Sequence, residues 1–175
     1  MLIDQYLPNW DFDKKNEYSL ISETISDISL VYHVDFGVSS IIRILFSLRG
    51  VVPARKITIN GLINKGFIFL DENEHEIVLG IVGQPWTLKG NLLEIARENF
   101  RTFQQPNYVK VVWNFSFEQI GERYMNIRTE TRIHCTSHVA KRKFSLYWLV
   151  IRYFSGWIQR EMLKIIGEEI IKNNR

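Results

Sequence analysis

Tyr108-Val-Lys-Val-Val-Trp-Asn-Phe-Ser-Phe-Glu-Gln-Ile-Gly-Glu-Arg-Tyr-Met-Asn-Ile-Arg-Thr-Glu-Thr-Arg-Ile-His-Cys135 is two alternating runs joined by one turn. In the second run Met125, Ile127, Thr129, Thr131, Ile133 and Cys135 share one face, and Asn126, Arg128, Glu130, Arg132 and His134 share the other. Successive side chains of a strand point to opposite sides, so one face of this segment is expected in the core and the other in water. Val109, Val111, Trp113, Phe115 and Phe117 make the same division in the first run, against Lys110, Asn114, Ser116 and Glu118. Two such strands, Tyr108 to Gln119 and Arg123 to Cys135, closed by Ile120-Gly121-Glu122, predict a long antiparallel hairpin.

The period changes immediately downstream. From Ser137 nearly to Asn173, Phe144, Tyr147, Trp148, Ile151, Phe154, Ile158, Met162 and Ile165 recur at helical spacing and form a broad apolar stripe. A straight helix of that length spans about 55 Å at 1.5 Å per residue, against a radius of gyration of about 16 Å for a domain of this size. A kink or break is therefore expected at Ser155-Gly156, since glycine weakens a helix interior and Gly/Ser pairs are frequent kink sites.

Upstream, a polar amino-terminal arm precedes a first strand at Glu17 to Thr24. Two short helices follow. One is capped by Ser26, carries Ile28, Val31, Tyr32 and Val34, and ends near Gly37; the other is capped by Ser39 or Ser40, carries Ile41, Ile42, Leu45, Phe46 and Leu48, and closes at Gly50 before Val52-Pro53. Thr58 to Lys65 adds a helical turn or two with Gly66 as its stop. Phe67 to Leu70 and Glu76 to Val82 flank the acidic turn Asp71 to His75 and predict a second hairpin. Between Gly83 and Asn107, with Pro85 and Pro106 as breakers, a loop with a short strand near Phe100 to Phe103 is expected.

The order of elements predicts an α+β chain, a single domain over residues 1–175. A curved antiparallel sheet of about six or seven strands would wrap the long carboxyl-terminal helix, with two short helices after the first strand closing one end. The chain has 46% hydrophobic and 23% charged residues and 23 aromatics, 11 Phe, 7 Tyr and 5 Trp, a load that serves a thick core or the lining of a cavity. Where a curved sheet meets a helix, Phe67, Phe69, Trp113, Phe115, Thr129, Thr131, Tyr147, Ile151 and Phe154 are the candidate lining, the two inward threonines marking a place where polar groups must be satisfied.

The amino terminus carries Asp4, Asp11 and Asp13 and lacks the basic head and apolar run of a secretory leader, and no run approaches the roughly 20 apolar residues of a membrane span. A cytoplasmic protein is expected, and Cys135, the single cysteine, excludes an intrachain disulfide. Residues 1–100 hold 9 basic and 13 acidic side chains, whereas residues 101–175 hold 13 and 6. Such a basic third is either a solvated helix face or an attraction for an anionic ligand, a membrane surface or nucleic acid. Lys141-Arg142-Lys143 covers too wide an arc for a directed stripe, and neither an aromatic RNA-binding sheet nor a recognition helix is present, so nucleic acid is not expected.

Glu130 and Cys135 are the residues that chemistry would use. A carboxyl turned into an apolar pocket suits general acid/base work, but the alternation puts Glu130 on the outer face, where pairing with cations such as Arg128 or Lys110 is expected. Cys135 neighbours His134, yet adjacent strand residues point apart, so a buried inert thiol is expected. His33 and His75 lack ligand spacing; neither a metal nor a cofactor is called for, and no catalytic residue is assigned.

Val78-Leu-Gly-Ile-Val-Gly-Gln-Pro-Trp86, Lys110-Val-Val-Trp-Asn-Phe115, Thr129-Glu-Thr-Arg-Ile133 and Tyr147-Trp148 with Phe154-Ser-Gly156, in this order of elements, resemble the SRPBCC or START-like helix-grip superfamily, and within it an uncharacterised bacterial branch. The resemblance covers almost the whole length and brings no catalytic motif. It implies an apolar cavity between sheet and long helix that binds lipid-, polyketide- or isoprenoid-like molecules. The alternatives are an enzyme of the polyketide cyclase/dehydrase type acting on such a molecule, and a partner-binding or chaperone-assisting module with a filled core. Peripheral contact with a membrane is compatible with all three.

Overall fold

A computed structural model describes residues 1–21, 28–48, 56–87 and 90–173, with residues 45–48 described for their backbone only. The hairpin is present as β4 (Val109–Ile120) and β5 (Tyr124–Cys135), paired from Val109↔Cys135 to Ile120↔Tyr124. Gly121, at φ +64, supplies the left-handed conformation that the turn requires. β1 (Phe12–Ile21) pairs with β5, and β2 (Ile68–Asn73) and β3 (Glu76–Gly83) complete an antiparallel sheet in the order β1-β5-β4-β3-β2.

The sheet has five strands among the described residues, not six or seven. The expected strand near Phe100 to Phe103 is a short helix, α5 (Arg97–Phe100), and the segment before it meets the sheet through one bridge, Leu93 to Val82. Phe100 is the reason: its fully buried ring packs with Leu70, Val78, Val82 and Val112, so this segment folds over the sheet rather than extending it.

The first strand runs over Phe12–Ile21, earlier than expected, and the first short helix, α2, over Leu30–His33. Ser39 Oγ accepts from the Ile42 amide at the start of α3 (Ser40–Leu48), and Thr58 Oγ1 accepts from the Gly61 amide at the start of α4 (Ile59–Ile63). Ser22 to Thr24, Ser26, Gly50 and Val52-Pro53, expected as strand end and helix boundaries, lie outside the described residues.

The carboxyl-terminal helix α6 (His138–Asn173) is capped by Ser137, whose Oγ accepts from the Ala140 amide at 3.2 Å. It continues unbroken through Ser155-Gly156, against the expected break. Its glycines are explained by what lies across from them. A Cβ on Gly156 would come within 2.5 Å of Lys14 Cε, and one on Gly167 within 2.6 Å of the Tyr18 ring, so both let α6 settle closely onto β1. The helix packs chiefly on β1 and β5. Together with α2 and α4 it closes a core that contains Leu79, Trp113, Phe115, Ile127, Met162 and Ile166.

The outward face of the hairpin is wet toward its turn, where Glu118 and Arg128 are exposed, but closed over much of the rest. Lys110, Asn114, Asn126, Glu130 and Arg132 are all buried, because the amino-terminal arm and the segment around α5 cover this side. α1 (Ile3–Tyr6) seats Ile3 and Leu7 against the outer face beside Val78 and Val112. The polar groups beneath it are satisfied in a chain: Leu2 and Ile3 amides donate to Glu76 at 2.6 and 3.2 Å, Asn114 Nδ2 donates to Glu76 at 2.6 Å, and Asn114 Oδ1 accepts from the Glu130 amide at 2.8 Å. Each of these is a group whose unpaired burial is costly.

Candidate functional site

Inward from the sheet, two apolar clusters are separated along the strands. The larger one holds Trp113, Phe115 and the carboxyl-terminal half of α6, and the smaller one holds Val109, Ile133, Cys135, Ala140 and Phe144. Ile81 pairs with Val111 and Thr131 pairs with Trp113, all on the inner face of the middle strands. Their neighbours on that face, Leu79, Val109, Trp113, Thr129 and Ile133, are buried, whereas Ile81, Val111 and Thr131 are only partly buried, Val111 packing against the smaller cluster. Ile151 and Phe154 on α6 are half-exposed as well, and Ile81 and Ile151 belong to neither cluster. Between the two packed clusters the inner face of β3, β4 and β5 therefore keeps some solvent exposure at Ile81, Val111 and Thr131, and this stretch is the candidate indentation.

A polar seam borders it. Gln159, buried on α6, donates from Nε2 to Thr131 Oγ1 at 2.9 Å and accepts from Asn16 Nδ2 at 2.6 Å. Lys14, opposite Thr131 in the β1–β5 register, lays its side chain along Gly156. The arrangement offers an apolar floor with a hydroxyl and an ammonium at one edge, suited to holding a molecule with an apolar body and a polar end.

The residues expected from sequence to line a pocket divide into groups. Thr131, Ile151 and Phe154 are partly buried, Phe154 packing against the larger cluster. Trp113, Phe115 and Thr129 are closed core: the Trp113 indole donates to Thr129 Oγ1 at 2.7 Å, and that hydroxyl donates to the Asn114 carbonyl at 2.7 Å. Tyr147 packs on the Phe144 ring in the smaller cluster. Phe67 meets the edge of Trp113, and Phe69 on β2 packs between the Tyr32 ring and the Arg97 guanidinium. Ile81, Val111 and Gln159 were missed. Val111 was legible as inward from alternation, and Gln159 as a polar residue beside the apolar stripe of the last helix.

Glu130 points away from the indentation, on the outer face, bonded to Arg132 at 2.6 Å and Lys15 at 3.1 Å. Cys135 lies in the smaller cluster. Burial pushes its thiol up to about 12, with the Asp11 carboxylate adding to the effect. Iodoacetamide at about pH 8 is accordingly expected to leave Cys135 unmodified in the native protein and to label it only after denaturant is added. Rapid labelling without denaturant would contradict the closed position of the thiol.

No protein-family model and no curated protein matches this chain. Among solved structures, a Thermus thermophilus protein is 10% identical, with 93% of this chain and 99% of that one covered at a TM-score of 0.35. A Streptomyces aromatase/cyclase is 9% identical, with 94% and 97% covered at a TM-score of 0.29. At these scores neither superposition bears on function, and the fold rests on its own elements. No helix among the described residues is long and apolar enough to cross a membrane.

Proposed function

We propose that the chain binds a small amphipathic molecule in the indentation between its sheet and α6. The apolar body of the ligand would lie against Ile81, Val111, Ile151 and Phe154, and its polar end would lie beside Thr131 and Lys14. One observation carries this: inward-facing residues at mid-sheet keep solvent exposure while those on either side are buried, so the opening is flanked by packed ends rather than being a loose edge. A groove of apolar side chains with a few polar groups along one border is the common form of a small-molecule site. The sequence resemblance to the helix-grip group supports the same ligand class.

Oleate tests the proposal by displacing bound 1-anilinonaphthalene-8-sulfonate. The expected result is saturable, stoichiometric binding of the dye that oleate reverses. Val111→Trp, which puts a ring into the opening, is expected to weaken both by at least about tenfold while changing stability by no more than about 3 kcal/mol. Dye binding that is absent, or that Val111→Trp leaves intact, would overturn the proposal.

A further inference from the structure

The first half of α6 carries a second apolar surface that the indentation does not use. Val139, Leu146, Leu149, Val150, Tyr153 and Trp157 are between 43% and 69% exposed. At 100° per residue they fall within a sector of about 100°, opposite the core-facing Phe144, Ile158 and Met162, and they extend over about 27 Å of helix. Among the described residues nothing covers this sector, and contiguous exposed apolar surface of that kind marks an interaction site.

The charges around it select the partner. From His138 to Arg160 the helix has five Lys and Arg residues and no carboxylate. Lys141 is engaged with Asp11 at 2.6 Å, but Arg142 and Arg160 lie within the apolar sector at its two ends, and Lys143 and Arg152 flank it, all exposed. Arg152 sits over the Tyr153 ring at 4.8 Å and donates to its hydroxyl. Two copies of this face brought together would oppose cation to cation, which disfavours self-association. An acid-free apolar stripe with cations at its ends and Tyr and Trp within it complements a surface that is anionic outside and apolar beneath.

We propose that α6 docks this stripe into the interface of an anionic lipid bilayer, with Leu146, Leu149, Tyr153 and Trp157 below the headgroups and Arg142 and Arg160 on the phosphates. This docking holds whether or not the indentation takes a ligand. The test is co-sedimentation of the full chain with vesicles of phosphatidylcholine alone and of phosphatidylcholine with roughly 30% phosphatidylserine, in about 0.1 M salt.

The expected result is strong partition onto the anionic vesicles and weak partition onto the neutral ones. The double variant Arg142→Gln/Arg160→Gln should bind the anionic vesicles about thirtyfold less well, and Leu149→Ser/Tyr153→Ser should also lose binding. Unchanged urea midpoints in both variants, whose substituted side chains are exposed, keep the comparison free of unfolding. Equal partition onto both compositions would overturn the proposal, as would no partition at all. So would a dimer in sedimentation velocity that Leu149→Glu dissociates.

Discussion

Arg132→Met is expected to lower the unfolding free energy by about 3–5 kcal/mol, the range for breaking one partner of a buried ion pair. Its side chain is 5% exposed and that of Glu130 8%. Arg132 donates to Glu130 at 2.6 Å, to Asp4 at 2.7 Å and to the Leu7 carbonyl at 3.2 Å, and the Trp10 ring lies 4.0 Å over its guanidinium. One residue thus ties the buried outer face of β5 to the amino-terminal arm. With methionine there, the Glu130 carboxylate keeps its pairing with Lys15, and the arm loses one of its anchors beside the Glu76 and Ile3 contacts. The double variant Glu130→Leu/Arg132→Met removes the stranded charge and should recover part of the loss. Urea unfolding measures both, and a loss below about 1 kcal/mol would mean that the arm does not cover this face.

Acid should loosen the same contact. The hydrogen bond from Arg132 holds the Asp4 carboxyl below the ordinary carboxylate range, against a smaller opposing effect of burial. A carboxyl lowered in the folded state stabilises above its unfolded value and ceases to do so as pH falls through the folded one. The contribution of Asp4 is therefore complete near neutrality and disappears at the acid end, below the usual carboxylate range.

Phe115→Ala is expected to cost about 3–5 kcal/mol, as full truncations of core aromatics do. The ring is completely buried, stacks on Phe36 with planes 6° apart, and lies 4.8 Å from the Trp113 ring. It is one of the contacts between the segment before α3 and β4, so alanine would leave a cavity within the larger core cluster. A calorimetric melt checks this. A loss under about 1.5 kcal/mol would place Phe115 at a cavity wall rather than in closed core, which would move the candidate site toward Trp113.

What could be read from the sequence was what depends on neighbours in the chain. Alternation over Val109 to Cys135 is local, so the hairpin, its turn and its inward face were legible, as was the helical period after Ser137. Burial of the outer face was not, because it depends on remote partners: Ile3 and Leu7 sit in an arm whose aspartates make it look polar, and Phe100 lies in a segment with no clear period. The glycine expectation failed for the same reason. Gly156 weakens a helix in isolation, but here it admits Lys14 from another element.

The candidate site was half legible. Of the expected lining, Thr131, Ile151 and Phe154 keep partial exposure, whereas Trp113 and Phe115 lie in closed core. What marks the opening is residual exposure at Ile81 and Val111, a property of how far α6 reaches across the sheet, which no local pattern encodes.

Methyl-resolved NMR during an oleate titration tests the binding site most directly. The expected result is that the methyl signals of Ile81, Val111 and Ile151 shift together and saturate, while those of the fully buried Ile77 and Ile166 stay in place. Shifts confined to Leu146 and Leu149 on the exposed stripe, or no saturable shift at Ile81 and Ile151, would contradict a ligand held between sheet and helix.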